Sequence, residues 1–236
     1  MKNLVIVFFV VCIAAVMSVT AQTAKSYFTA GLEKYEKGLY KEALDEYNKA
    51  IEVNPQFADA YSNRGMIKSK LGDREGAIAD YTKAIELNPK LDAAYFNRGI
   101  AKNDLGDTKG AIADYDKAIE LNPLFESAYY SRGIVKNALG NKEGAIADFT
   151  NVIECYAKTV FANRGNAKDS MEDNKGAVAD FSKAKQTNPV YAKAYYYRGL
   201  IYLNEGKTTL ACADLQKASE LGYIEAAAMI EEFCKK

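Results

Sequence analysis

The chain has only four prolines, and their spacing constrains the fold more than any other feature. Pro55, Pro89, Pro123 and Pro189 are separated by 34, 34 and 66 residues. Proline lacks the amide that continues a helix and restricts the residue before it, so a recurring proline marks a recurring boundary. The residues between repeat as well. Ala58–Leu91, Asp92–Phe125 and Glu126–Ala157 align with one another, and the register extends back to Ala24–Phe57 and forward to Lys158–Tyr191 and Ala192–Glu225. The period is 34 residues, except that Glu126–Ala157 is two residues short and lacks the proline, which accounts for the long last gap. A unit of this size cannot bury its apolar face alone, so stacked neighbours must supply one continuous core.

Each unit reads as two helices. In the second, Tyr61, Met66 and Leu71 mark a first helix, and Ala77, Ile78, Tyr81, Ala84, Ile85 and Leu87 mark one face of a second at i, i+3/i+4 spacing. Between them stands Leu71-Gly72-Asp73. Gly72 suits the left-handed end of a helix, and Asp73 suits the cap of the next. Asn88-Pro89 closes the unit. Residues from Ala226 onward read as a final capping helix over 226–236, with Met229, Ile230 and Phe233 as its inward face.

The same residue types return at fixed positions. The fourth is Tyr27, Tyr61, Tyr95, Tyr129, Phe161 and Tyr195; the eighth is Gly31, Gly65, Gly99, Gly133, Gly165 and Gly199. The twentieth is Ala43, Ala77, Ala111, Ala145, Ala177 and Ala211, and the twenty-fourth is Tyr47, Tyr81, Tyr115, Phe149, Phe181 and Leu215. In period, helix plan and landmarks, residues 24–225 resemble the tetratricopeptide repeat (TPR) family. The resemblance implies an all-α fold: an α-solenoid of antiparallel helix pairs wound into a right-handed superhelix, ending in the C-terminal capping helix. Small residues at the eighth, twentieth and twenty-seventh positions let helix backbones approach, and aromatics fill the wedges between units.

The N-terminus reads Met1-Lys2-Asn3, then 16 apolar-rich residues from Leu4 to Val19, then Thr20-Ala21-Gln22. A basic start, a short apolar stretch and small residues at −3 and −1 are the pattern of a secretory signal peptide over 1–21, cleaved after Ala21. The run is short against the roughly 20 residues of a bilayer span, which leaves an uncleaved anchor as the alternative. The expected mature chain, 22–236, carries no membrane-spanning segment and is periplasmic or secreted.

Charge is balanced, with 31 Lys+Arg against 31 Asp+Glu. A nucleic-acid binder needs a clustered basic excess, so nucleic acid is not an expected partner. There is no His, and thus neither the commonest general base near neutral pH nor the commonest metal ligand. The acidic residues recur once per repeat rather than forming one unique cluster, so catalysis, a metal and a cofactor are all unexpected. Five units carry Arg before the eighth-position glycine (Arg64, Arg98, Arg132, Arg164, Arg198) and Asp on the second helix (Asp80, Asp114, Asp148, Asp180, Asp214). Each Arg is expected to bridge to an Asp of its own or the neighbouring unit. At exposed sites such pairs contribute roughly 0.2–1 kcal/mol each, and more if bidentate and shielded. The other reading is an arginine row for acidic ligands.

Two irregularities adjoin. The fourth unit ends Glu154-Cys155-Tyr156-Ala157 without Asn-Pro, and the fifth has Met171-Glu172-Asp173 in place of Leu-Gly-Asp. They are either tolerated drift or a local change of curvature. Of the cysteines after the signal, Cys155 and Cys212 stand at positions where other units place Leu or Ile. Cys212 and Cys234 lie on helices expected to pack together, and a disulfide between them would lock the cap if their Cα atoms come within roughly 4.4–6.8 Å.

The resemblance implies a non-enzymatic scaffold or adaptor that holds a partner peptide or protein along the concave face formed by first helices. The candidate groove residues are Phe28, Asn63, Phe96, Asn97, Asn103, Tyr130, Asn137, Asn163, Tyr196 and Tyr197. Asn amides pair with a peptide backbone whatever its sequence, and Tyr and Phe supply contact area at low entropic cost. Some family members clamp a C-terminal Glu-Glu-Val-Asp tail with Lys at the fifth position of a unit and Asn at the ninth. Here the fifth position is never Lys, and Asn166 is the lone ninth-position Asn. The alternative is a self-assembling component of an envelope complex, favoured by Tyr195-Tyr196-Tyr197 beside Tyr202.

Overall fold

The computed structural model describes residues 20–155 and 189–234. Helix α1 spans 20–36. It is followed by α2 (Tyr40–Val53), α3 (Ala58–Lys70), α4 (Arg74–Leu87), α5 (Asp92–Asp104), α6 (Thr108–Leu121) and α7 (Glu126–Ala138). Helix α8 covers 142–155. After the undescribed stretch come α9 (Pro189–Asn204), α10 (Thr208–Glu220) and α11 (Glu225–Phe233). The chain divides inside α6 into two compact units, residues 1–114 and 115–236. The apolar run expected to act as a signal, 1–19, lies outside the described residues, as do Asn163 and the Arg164–Asp180 pair.

Local chemistry sets the helix ends. At the turn inside the second repeat Gly72 takes φ +91°, which glycine adopts at no steric cost. The Asp73 side chain accepts a hydrogen bond from the Gly76 amide at 2.9 Å. Asp107 does the same for Gly110 and Asn141 for Gly144, each at 2.9 Å. A Cβ on Gly76 would stand 2.1 Å from an Asp73 carboxylate oxygen, so the glycine three residues after the cap is part of the turn. Between repeats, Asn54, Asn88 and Asn122 accept at Oδ1 from the amides of Gln56, Lys90 and Leu124 at 3.1, 3.1 and 3.2 Å. These Asx turns aim each following first helix.

Close packing explains the small residues. A Cβ on Gly65 would lie 3.0 Å from the Tyr81 ring, and one on Gly133 would lie 2.9 Å from Phe149. Ala43, Ala77, Ala111, Ala145 and Ala211 are fully buried. In the first unit, Ile67 of α3 buries against Ala43 and Tyr47 of α2. In the second unit, Ala194 and Ile201 of α9 bury against Ala145, Phe149 and Val152 of α8. Among the described residues, the first helix of the sixth repeat thus packs on the second helix of the fourth. Residues 156–188 lie outside the described residues.

The cap differs from its expected form. Helix α11 buries Ala226, whereas Met229 and Ile230 are half-buried and Phe233 is exposed. Cys212 and Cys234 are joined by a disulfide with Cα atoms 5.6 Å apart, which fastens the end of α11 to α10. Cys155 is buried, and its thiol donates to the Pro123 carbonyl oxygen at 3.4 Å.

Among the described residues, the repeated Arg and Asp meet within their own repeat four times. Arg64 donates through Nε and Nη2 to Asp80 at 2.8 and 2.6 Å, Arg98 to Asp114 at 2.9 and 2.7 Å, and Arg198 to Asp214 at 2.6 and 2.7 Å. Arg132 binds Asp148 in the same two-pronged way. These carboxylates are not surface groups: Asp80 and Asp114 are each 4% exposed. Each of Asp80, Asp114 and Asp148 also holds a lysine, Lys68, Lys102 or Lys136, at 2.9–3.0 Å. The guanidiniums of Arg64, Arg98, Arg132 and Arg198 lie 5.3–5.6 Å from the centres of the fourth-position rings Tyr61, Tyr95, Tyr129 and Tyr195. The pairs are therefore of the bidentate, shielded kind, which contribute more than exposed ones. Breaking a buried pair strands the remaining charges and costs about 3–5 kcal/mol. Asp114→Ala, which leaves both Arg98 and Lys102 without their carboxylate, is expected to lose that much in urea unfolding. Glu86→Ala, which removes only the exposed Lys83 pair, is expected to lose less than about 0.5 kcal/mol.

Candidate groove surface

The first-helix residues singled out for partner contact fall into two patches, one in each unit. In the first unit Phe28 of α1 is half-buried, its ring 5.0 Å from Phe57 and 5.7 Å from Tyr47. It serves the core of the first two repeats as well as the helix face. Asn63 of α3 is half-buried beside the Tyr47 hydroxyl. Phe96, Asn97 and Asn103 are half-buried on α5. Phe96 and Asn103, seven residues apart, share one face of that helix.

The second unit gathers its aromatics more tightly. Tyr130 of α7 and Tyr197 of α9 stand 6.2 Å apart, and Phe149 of α8 lies 6.0 Å from the first and 6.1 Å from the second. Tyr196 meets Tyr197 at 5.4 Å and Tyr223 at 4.8 Å. Asn137 is exposed on α7. Tyr223, in the turn before the cap, belongs to this cluster but was not among the residues picked from the sequence. Its position falls outside the first-helix pattern used to find the others. A cavity of about 330 Å³ lies between α9, α10 and α11, lined by Leu200, Leu203, Asn204, Thr208, Met229 and Phe233. Its signal was present in the sequence. Leu203 occupies the twelfth position, where Ser69, Asn103 and Asn137 are polar.

The arrangement offers amides, phenols and apolar rings. Among the described residues no His, Cys, Asp or Glu cluster could hold a metal ion, and no helix is long and apolar enough to cross a membrane.

Comparison with known families matches residues 58–91 and 93–125 to "Tetratricopeptide repeat", 31–72 to "TPR repeat" and 163–222 again to "Tetratricopeptide repeat". The chain belongs to the tetratricopeptide repeat family. Solved TPR structures resemble it along most of its length. "Crystal structure of MamA" is 23% identical, covers 84% of this chain and 96% of its own, and has a TM-score of 0.63. "Crystal structure of YrrB: a TPR protein with an unusual peptide-binding site" is 19% identical, covers 87% and 90%, and has a TM-score of 0.62. The fold class is that of these neighbours, an all-α solenoid. "First TPR of Spaghetti (RPAP3) bound to HSP90 peptide SRMEEVD" is 28% identical over 51% of this chain and 95% of that one, with a TM-score of 0.50. No curated protein matches the sequence.

Burial of the TPR aromatics sets their protonation. Tyr47 is fully buried, and desolvation pushes its phenol up to about 12; burial also raises Tyr81 and Tyr130. Free tyrosine ionises near 10, so above that pH the unfolded chain binds fewer protons than the folded one, and stability falls as pH rises from about 10 to 12. Spectrophotometric titration at 295 nm checks this. A late fraction, including Tyr47, Tyr81 and Tyr130, should ionise together with alkaline unfolding.

Proposed function

We propose that this TPR protein is a non-enzymatic scaffold that binds an extended peptide or a partner protein along its first-helix faces. The observation that carries the reading is the amide–aromatic patch in each unit: Asn63, Asn97 and Asn103 in the first, and Tyr130, Asn137, Tyr196 and Tyr197 in the second. The RPAP3 domain, bound to the peptide SRMEEVD, supports peptide binding as the use of such a face. The partner proposed here differs from that peptide. No fifth position in this chain is Lys, so the pair needed to clamp a terminal carboxylate is missing, and recognition rests on backbone pairing and apolar contact.

The self-assembly reading is less well supported. Tyr195 stacks on Arg198, Tyr202 lies against Arg198 and Lys207, and Tyr196 and Tyr197 pack on Tyr223, Phe149 and Tyr130. The aromatic density that suggested self-association is used within the chain.

We place the mature protein outside the cytoplasm. The support is the signal-like 1–21 together with a disulfide between Cys212 and Cys234, a bond that persists in oxidising compartments. One intact-mass measurement on protein from its native source reads both points. The expected species begins at Gln22 and is lighter by two hydrogens than its reduced form; a species retaining Met1–Ala21 would refute cleavage.

Binding is tested by capture from the native envelope fraction. Wild type is compared with Asn63→Ala/Asn97→Ala/Asn103→Ala, which removes three half-buried amides, and with Tyr196→Ser/Asn137→Ala in the second unit. Partners captured by wild type should be depleted at least tenfold by one variant set, with helix content unchanged. Equal recovery with both sets would remove the first-helix face as the binding surface.

A further inference from the structure

The cavity between α9, α10 and α11 is built from positions that carry the first-helix face elsewhere. Leu200, Leu203 and Asn204 are the ninth, twelfth and thirteenth residues of the sixth repeat. They continue, at i+4, i+7 and i+8, the side of α9 that begins with Tyr196. The facing wall comes from α11, which follows α10 as a first helix follows the second helix before it. Its Ala226 is fully buried, as are Ala60, Ala94, Ala128 and Ala194 at the third position of first helices. Counted from that alanine, Met229 takes the place of Asn63, Asn97 and Tyr197, and Phe233 takes that of Ile67, Ala101, Val135 and Ile201. Those four are at most 4% exposed, whereas Phe233 is 40% exposed, because α11 ends there. The cap thus brings a core-type side chain to the edge of an open cavity.

Two features say what fits. The walls are Leu200, Leu203, Met229 and Phe233, with Asn204 and Thr208 as the polar groups. At about 330 Å³ the cavity has room for an anchoring side chain rather than a large ligand. Its rim on α11 is acidic: the helix carries Glu225, Glu231 and Glu232 and no Lys or Arg. Glu225 and Glu232 are exposed, four residues before and three after Met229, which puts them on its side of the helix. Lys207, at the turn between α9 and α10, is already paired with Glu205 at 2.8 Å. The rim also runs on into the tyrosine cluster, where burial, then Tyr197 and Glu225, raise the phenols of Tyr196 and Tyr223.

We propose that this cavity takes one aliphatic or phenylalanine side chain of a bound peptide, and that Glu225 and Glu232 hold a Lys or Arg beside that residue. The inference rests on the first-helix reading above and adds the chemistry of one end of the partner segment. A desolvated apolar anchor supplies most of the affinity of such a contact, and a charged rim supplies selectivity and salt dependence.

The test pans a random dodecapeptide phage library on the purified full chain with its Cys212–Cys234 bond intact. Enriched sequences are synthesised and titrated against protein labelled with 13C-methyl methionine. They are expected to share Leu, Ile, Met or Phe with Lys or Arg within two residues, and to shift the Met229 methyl resonance. Leu203→Asn installs the residue that α5 and α7 carry at the twelfth position, so the helix is kept, and it should weaken Kd at least tenfold. Glu225→Gln/Glu232→Gln should weaken binding and flatten its dependence on salt. Peptides lacking the apolar–basic pair, or an unchanged Kd with Leu203→Asn, would overturn the proposal. So would a Met229 shift driven by protein concentration alone, which would put a second copy in the cavity. Peptides that shift Met66 of α3 and leave Met229 unmoved would overturn the pocket and keep the first-helix reading. Finding no peptide that binds more tightly than about 1 mM would remove both.

Discussion

The buried aspartate on each second helix is the group around which a repeat is organised. Asp80 shows how much depends on one carboxylate. It accepts two bonds from Arg64 and one from Lys68, both on the first helix of its own repeat, while the Arg64 guanidinium lies over Tyr61 and reaches back to Asn48 of the preceding repeat. One anion thus fixes the angle between two helices and, through the third guanidinium bond, the seat of that pair on its neighbour. Removing such a carboxylate from water is costly, and only its full set of partners offsets the desolvation. Among the described residues the Arg–Asp pair recurs in four repeats, three of them with the lysine, so much of the charge on the core-facing side is matched locally.

What surrounds the cluster follows from steric limits. Gly31, Gly65 and Gly133 at the eighth position face a ring at the twenty-fourth that fills the space where their Cβ would be, and Gly199 faces Leu215. The ring must be large to close the wedge between helices, and the glycine must be small to admit it. The first repeat lacks the cluster, with Ala30 and Glu46 in place of Arg and Asp, and Glu46 pairs instead with the exposed Lys49. Having no preceding repeat in register, it has no twenty-fifth position to reach back to.

Much of this could be read from the sequence because each position is stated up to six times. The helix pairs, the left-handed turn at Gly72 and the Asp73 cap follow from residue types at fixed offsets, and so does the pairing of Arg with Asp. The depth of the pairs could not be read. Nothing in the sequence distinguishes an ion pair on a surface from one sealed by Tyr61 and a lysine stem, because that depends on where neighbouring helices close over it. The groove residues were legible only as helix faces. Phe28, Tyr130 and Tyr197 project from first helices as expected, but each is shared with the core, since a large ring on a face boundary contacts whatever lies beside it.

The Cys212–Cys234 bond has a kinetic consequence particular to a linear array. A stack whose units touch only their neighbours loses structure most easily by fraying, because the last helix has one contact face instead of two. Helix α11 is short, and of its residues only Ala226 is buried, so it is the natural place for the chain to begin peeling away. The crosslink spans 22 residues of sequence and returns the tail of α11 to α10, so a frayed cap stays tethered within reach of its seat. Unfolding from this end must then release the sixth repeat's second helix and the cap together, which turns a gradual unzipping into a single larger step.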